Sequence, residues 1–402
     1  LGGDPAQCGE GLYCNTVSSS CDADCSPDPA LGFGCPNNET CTSDGRCPSL
    51  SGTGDSCPAI DLNLTRPKPT VVFLVDQSSS MKWKIDTFTD ANRNAGEISR
   101  FDHIVRVLVG NDPNVGGVLD SFQASIKMNA TFFTGNETTC PMVEQNMPIA
   151  YDNVDAIRTR LNQLANQQGG PNNAFHWTPT PESIGVLSTG LVSTLTSTAD
   201  EPVSIVMITD GGPDYCAARA SSTPIQNQLF EPASIDTSNR LRTLVSERNI
   251  RTLVLGFGSA ATDHPSRGDF VRQLKIMANG GSGYEPLAGL DGNAGPSADA
   301  ALATDPAQLT AALQSFLGNQ VSCTIDLQQG RITDESRACE GKVEFNGRLL
   351  TCNPTDDSQG WRVLPGGTQI QILGSDCGAL LSAPTVNLRA YGFPCGVASS
   401  LI

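Results

Sequence analysis

Thr70-Val71-Val72-Phe73-Leu74-Val75-Asp76-Gln77-Ser78-Ser79-Ser80-Met81 is the stretch from which the rest of the chain is read. Its first half is an unbroken apolar run of strand length, with a Pro-rich entry (Arg66-Pro67-Lys68-Pro69) and a polar exit. A strand apolar on both faces belongs in a parallel sheet, whose crossover helices cover each face and exclude water. VSIVMITD at 203–210 and IRTLVLGFG at 250–258 are runs of the same kind. Segments 98–110, 151–165, 181–195, 238–249, 269–278 and 305–317 place apolar residues three and four apart, several of them behind an Asp, Ser or Pro start signal. Strand and helix in alternation predict an α/β fold with a doubly wound, mostly parallel sheet over 70–320.

Composition changes on either side of this segment. Residues 1–57 hold eight cysteines, Cys8, Cys14, Cys21 and Cys25 followed by Cys35, Cys41, Cys47 and Cys57, in two units whose first three cysteines are spaced almost alike. So few large apolar residues accompany them that disulfides must replace a core. Each unit can close two bridges in a pairing the spacing leaves open, and a spacer or stalk is the expected role. Residues 58–69 read as a linker. Beyond 321, KVEFNGRLLTC sets an Asn-Gly turn between alternating segments, and WRVLPGGTQIQIL and TVNLRAYGFPC continue the pattern. The expectation for 321–402 is a small antiparallel β domain whose Cys323, Cys339, Cys352, Cys377 and Cys395 form two bridges and leave one odd thiol.

Fifteen cysteines in 402 residues point to an oxidising compartment, hence an extracellular or cell-surface protein. Zinc is disfavoured, because there is no C-x-x-C pair and the three histidines (His103, His176, His264) lie away from the cysteine clusters. A formal charge of −17, with only 25 basic residues spread along the chain, argues against nucleic acid and suits cation binding. No run of eighteen apolar residues predicts a membrane span. The opening LGGDPAQC has neither the basic nor the apolar region of a signal peptide, so any such segment is expected to have been removed. Asn38, Asn63, Asn129 and Asn136 stand in N-x-[ST] sequons.

The chemistry starts at Asp76-x-Ser78-x-Ser80. Ligands of doubly wound sheets collect outside the carboxyl ends of the strands, where this loop must lie. A carboxylate and two hydroxyls on alternate residues are hard oxygen donors, suited to Mg²⁺, Ca²⁺ or Mn²⁺ and poor for copper or zinc. Alone, the pattern is no more than a Ser-rich turn. Asp210, at the carboxyl end of VSIVMITD, and Thr178, in TPTPES at the start of the preceding helix, change that weight.

Together these segments resemble the von Willebrand factor A-domain family, integrin inserted domains included. The family's metal-ion-dependent adhesion site uses D-x-S-x-S, a distant Thr and a distant Asp. The resemblance covers about 250 residues and implies that Asp76, Ser78, Ser80, Thr178 and Asp210 hold one divalent ion, Mg²⁺ or else Ca²⁺ or Mn²⁺. Hydroxyls would come from Ser78, Ser80 and Thr178, while Asp76 and Asp210 would ligate directly or through water. The sixth position would be left to a carboxylate on a protein or matrix partner. It further implies that the helix at 305–317 moves when the metal shell changes. The overall architecture is similar to that of secreted or surface A-domain proteins of bacteria such as myxobacteria, gliding adhesins among them. An adhesin is the function this predicts, and a structural subunit of a surface filament or envelope complex, with a stabilising metal, is the alternative.

Around the motif, Cys140 and Cys216 either bridge to each other and brace the metal face or pair outside the domain. Asp214 and Glu182 either reach the site or are solvated loop carboxylates. His176 and Trp177 either rim it or pack. The polar stretch 81–96 is either a recognition loop or an ordinary insertion. No G-x-S-x-G, H-E-x-x-H or G-x-x-x-x-G-K-[ST] occurs, and catalysis is not expected.

Overall fold

A computed structural model describes residues 13–15, 20–22, 60–65 and 68–400, apart from 88, 93–94, 111–114, 137, 169–176, 199–200, 217–229, 259–268, 322, 329, 384–385 and 395–396. Apart from the hairpin β1 (Tyr13–Asn15) and β2 (Ser20–Asp22), the paired cysteine modules lie outside the described residues, and so does Cys395.

The chain forms two compact units. One comprises Arg66–Ser322 together with Leu381–Pro384, and in the other β3 (Ile60–Thr65) joins Cys323–Leu380 and the chain from Thr385 onward. The linker reading of 58–69 is therefore corrected. Asp61-Leu62-Asn63-Leu64 alternates with the two-residue period of a half-buried strand, but the run is short and stands beside two prolines that draw the eye to a loop.

In the Arg66–Ser322 unit, β4 (Thr70–Asp76), β5 (Lys127–Thr134), β6 (Met142–Glu144), β7 (Val203–Thr209), β8 (Arg251–Phe257) and β9 (Ala301–Ala303) form one sheet in the order β6-β5-β4-β7-β8-β9. All neighbours run parallel except β6, which turns back on β5. The helices are α1 (Arg100–Val109), α2 (Val154–Gln168), α3 (Thr180–Thr189), α4 (Phe230–Arg248), α5 (Phe270–Gly281) and α6 (Pro306–Gln320).

Alternation along β4 divides the core. Val71, Phe73 and Val75 pack with Ile104, Leu161 and Leu309 from α1, α2 and α6, whereas Val72 and Leu74 pack with Ile184, Leu241 and Leu274 from α3, α4 and α5. The result is a mixed α/β unit with a mostly parallel sheet flanked by helices on both faces. From β4 the chain goes first to β5 on one side and later to β7 on the other. Its direction of winding thus reverses beside β4, and a crevice opens at the strand's carboxyl end, just where Asp76 stands.

Two elements depart from the pattern-based expectation. Strand β5 is buried from Met128 to Thr134 but carries Asn129 and Thr131. Thr131 Oγ1 donates to Asn129 Oδ1 (2.9 Å), and Asn129 Nδ2 donates to the Met147 carbonyl. Asn129 is consequently no glycan acceptor in the folded chain. Helix α4 begins eight residues before the expected 238, because its buried face is small and polar: Ser234, Thr237 and Ser238. Ser238 Oγ donates to the Ile276 carbonyl at 2.6 Å, and a Cβ on Gly280 would stand 2.0 Å from the Ser238 carbonyl oxygen, so α4 and α5 meet nearly backbone to backbone.

In the other unit, β10 (Thr324–Gln328), β12 (Lys342–Phe345), β13 (Arg348–Leu350), β14 (Gln359–Val363), β15 (Gln369–Leu373) and β16 (Leu388–Phe393) join β3 in a seven-stranded antiparallel sheet, ordered β13-β12-β16-β3-β10-β15-β14. Strand β11 (Gly330–Ile332) pairs separately with β17 (Ala398–Ser400), and α7 (Gly374–Ser382) follows β15. Asn346 and Gly347 take positive φ values of 48° and 83°, the hairpin turn their dipeptide favours. Trp361 meets Phe393 edge to face at 6.3 Å in the core, and Cys323–Cys377 and Cys339–Cys352 staple the unit.

Candidate metal centre

The parallel register sets β4 and β7 side by side with Val75 opposite Ile208, so their carboxyl ends bring Asp76 and Asp210 into one neighbourhood. Asp76 is fully buried. Its Oδ1 accepts from the Ser78 amide (2.7 Å) and its Oδ2 from the Thr209 hydroxyl (2.7 Å). Ser78 Oγ lies 3.1 Å from Ser80 Oγ, and Ser80 Oγ donates to Asp210 Oδ1 at 2.9 Å. Four of the five expected residues thus form one hydrogen-bonded chain running from β4 to β7. The fifth, Thr178, lines the same cavity as Ser80 and Asp210, and its hydroxyl takes part in no hydrogen bond among the described residues.

Electrostatically, this cluster is unfavourable as it stands. Burial first, and then the like charge of Asp210, push the Asp76 carboxyl up to about 7, outweighing the lowering effect of the Ser78 and Thr209 hydrogen bonds. No three His, Cys, Asp or Glu side chains converge to hold a metal among the described residues. The donors here are instead two carboxylates and three hydroxyls, all hard oxygens at the end of a parallel sheet. That set fits a small divalent cation of the Mg²⁺, Ca²⁺ or Mn²⁺ kind, which would also relieve the repulsion between Asp76 and Asp210.

The backbone around the cluster is held firmly. Thr178 is fixed by its carbonyl, which accepts from the Asp214 amide (2.9 Å) and the Thr180 amide (2.7 Å). Gly211 and Gly212, at φ 95° and 65°, turn the chain directly after Asp210. A Cβ at Gly212 would come within 3.1 Å of the Phe270 ring, so this turn needs glycine on both counts. Cys140 and Cys216 are joined and tie the β5–β6 hairpin to the loop after β7. Glu182 Oε1 accepts from the Cys216 amide at 3.0 Å, a loop brace rather than a ligand.

Trp177 is buried. Its amide donates to the Gly135 carbonyl and its own carbonyl accepts from Thr134 Oγ1, so it packs and does not rim the cavity. His176 lies outside the described residues. Asp214 is buried and lines the cavity. The polar stretch 81–96 contributes Trp83 to the cavity wall, which also includes Phe230 and Phe270, two rings that meet edge to face at 6.5 Å.

Sequence reasoning missed Thr209, Phe230, Phe270 and above all Arg100. Arg100 Nη1 donates to Asp210 Oδ2 at 2.5 Å, with both side chains buried. A signal was available: Arg100 shares a helix face with Ile104 and Leu108, four and eight residues on, and a charge on a buried face needs a partner.

No family model matches the chain, and no curated protein does. Among solved structures, the PilB minor pilin from Streptococcus sanguinis is similar at 14% identity, covering 63% of this chain and 61% of that one, with a TM-score of 0.39. The manganese-loaded TRAP protein of Plasmodium vivax is similar at 11% identity over 64% of this chain and 78% of that one, TM-score 0.35. Proximal thread matrix protein 1 from the mussel byssus is similar at 11% identity over 68% and 51%, TM-score 0.32. The chain therefore spans less than two thirds of the pilin and about half of the byssus protein.

Proposed function

We propose that the Arg66–Ser322 unit is a von Willebrand A-type domain with a metal-ion-dependent adhesion site. In this reading the protein is an extracellular adhesion or binding protein rather than an enzyme. Ser78, Ser80 and Thr178 would offer hydroxyl oxygens to one divalent cation, and Asp76 and Asp210 would offer carboxylates. When bound, the cation supplies a Lewis-acidic position open to a carboxylate of a protein or matrix partner. The chain's own part is to hold five oxygens in place, to exclude water through the buried floor at Asp76, and to present Trp83, Phe230 and Phe270 as a wall beside the partner.

One observation carries this reading. The hydrogen-bonded chain Asp76–Ser78–Ser80–Asp210 joins two buried carboxylates, through the Ser78 amide and then the Ser78 and Ser80 hydroxyls, at the carboxyl ends of adjacent parallel strands. A core does not need such a cluster: Arg100 pairs with Asp210, but the described donors to Asp76 are neutral, and a second buried acid beside it is destabilising unless a further cation offsets it. The three disulfides among the described residues suit an oxidising compartment, and no described helix is long and apolar enough to cross a membrane.

Calorimetry on the whole chain with Mg²⁺, Ca²⁺ and Mn²⁺ tests the proposal: one ion should bind per chain, and Asp76→Ala should abolish it. Absence of binding by all three ions would sink it. If Asp76→Ala leaves ligand capture intact but prevents assembly into a larger surface complex, the structural-subunit reading takes its place.

A further inference from the structure

Among the buried residues of α1, Arg100 alone is charged. Hydrogen bonds and a cation–π contact from described residues fix its guanidinium, which is 1% exposed. Nη1 donates to Asp210 Oδ2 (2.5 Å), Nη2 to the Thr87 carbonyl (3.0 Å), Nε to the Lys84 carbonyl (3.3 Å), and the group lies 5.1 Å from the Trp83 ring centroid. Asp210 is thus gripped from two sides, at Oδ1 by Ser80, a member of the donor set, and at Oδ2 by a permanent cation. A guanidinium stays protonated throughout the physiological range, so this charge is constant. A Cβ on Gly258 would approach Arg100 Nε to 2.9 Å, which shows how closely the pocket for the side chain is fitted.

We infer that Arg100 is a built-in counter-charge that weakens the site's hold on its divalent ion and strengthens the loaded site's hold on an anionic partner. The inference rests on the metal-site reading above and specifies how that site is tuned. Asp76 and Asp210 carry two negative charges when ionised, Asp214 lines the same cavity, and Arg100 offsets one unit of that negative charge. With a divalent ion in place the centre is one unit more positive than it would be without Arg100. Removing the guanidinium therefore lowers the attraction of the loaded centre for a carboxylate by the effect of one full charge. Because the guanidinium is buried and pinned by two backbone carbonyls, solvent screens it little and it does not swing away. Its anchors lie in the polar stretch that follows the D-x-S-x-S motif, which gives that insertion a role: it holds the counter-charge and places Trp83 at the cavity.

Two affinities moving in opposite directions provide the test. In the full-length protein, Arg100→Gln should bind Mg²⁺ and Mn²⁺ more tightly by on the order of tenfold, the effect of deleting one close, poorly screened charge. Acetate binding to the Mn²⁺-loaded variant, read from water-proton relaxation, should weaken by on the order of tenfold for the same reason. Arg100→Lys keeps the charge and should leave both affinities within about threefold of wild type.

A merely structural role for Arg100 would not tighten metal binding. Unchanged or weaker Mg²⁺ binding by Arg100→Gln would therefore overturn the inference. If that variant does not fold, Arg100→Lys decides: near-wild-type affinities support the charge argument, and tighter Mg²⁺ binding with the charge retained overturns it. If wild type binds an ion that Asp76→Ala abolishes while Arg100→Gln changes neither affinity, only the role of Arg100 falls. If wild type binds no divalent ion, both readings fall.

Discussion

Asp76 in the parallel-sheet unit and Asp376 in the antiparallel one are both buried, and they are satisfied in opposite ways. Asp376 accepts from Arg348 Nη2 at 2.5 Å and from the Gly360 amide at 2.7 Å, so its charge meets a cation and its second oxygen closes a strand end. Among the described residues Asp76 has neutral donors, Ser78 and Thr209, and the charged neighbour that acts on it is another acid, Asp210. The first arrangement is complete as it stands. The second is left without a cation of its own, and on the metal-site reading proposed above this separates a carboxylate that serves the fold from one that the fold would carry for a ligand.

The largest expected effect breaks this comparison by pH. A carboxyl raised to about 7 when folded, against 3.8 when unfolded, binds more protons in the native state between those values. Stability contributed this way is present at the low end of the window and lost as pH rises through it, by up to about 4 kcal/mol in total. Thermal unfolding of the metal-free chain should therefore show the parallel unit melting earlier at pH 7.5 than at pH 5. Mg²⁺ at saturation or Asp76→Asn should remove most of that slope. A flat profile in metal-free wild type would mean that Asp76 is not strained and would erase the contrast with Asp376.

Next come the bridges. Cys140–Cys216 closes 76 residues and Cys339–Cys352 only 13. Chain entropy alone gives about 4 and about 3 kcal/mol respectively for their loss. Paired Cys→Ser variants should follow that order in chemical denaturation. What separates the units is metal affinity, which should drop several-fold without Cys140–Cys216 and stay unchanged without Cys339–Cys352. Smaller again is Asp376→Ala, which strands the Gly360 amide and should cost about 2 kcal/mol, because the exposed Arg348 can turn to solvent. Mg²⁺ affinity should not move in that variant, and a fall would show that Asp376 is not purely structural.

The same contrast explains what could be read from the chain and what could not. β4, β7 and β8 stand out because burial on two faces leaves no polar interruption, and α1 announces itself through Ser99 and Asp102, which form a reciprocal capping box. β5 was hidden because Asn129 and Thr131 satisfy each other inside the core, a pairing visible only once the side chains are placed. The first two turns of α4 were hidden by small polar residues that permit close helix packing. β3 was hidden by its distance along the chain from β10 and β16, since strand pairing of that span leaves no local trace. At the site, the five oxygen-bearing residues were legible because the motif fixes their type and spacing. Arg100 was readable only as an oddity of helix phase, and its partner Asp210 lies 110 residues away. Phe230 and Phe270, at the first positions of α4 and α5, carry no spacing signal toward the cavity.

The smallest effect turns on two threonines two residues apart. Thr180 Oγ1 donates to the Thr178 carbonyl at 3.2 Å, so its hydroxyl belongs to the fold. Thr178 is held by that carbonyl, which accepts from the amides of Thr180 and Asp214, and its hydroxyl is left to the cavity. Valine matches threonine in shape and removes only the oxygen. Thr180→Val should lower stability by about 1 kcal/mol, the worth of one buried hydrogen bond, with Mg²⁺ affinity nearly unchanged. Thr178→Val should leave metal-free stability within about 0.5 kcal/mol of wild type and weaken Mg²⁺ binding by roughly tenfold, or about 1.4 kcal/mol. Calorimetry and thermal denaturation of the two variants side by side measure both quantities. If Thr178→Val proved the destabilised one and kept its affinity for Mg²⁺, Thr178 would join Asp376 among groups that serve only the fold, and the donor set would shrink to four.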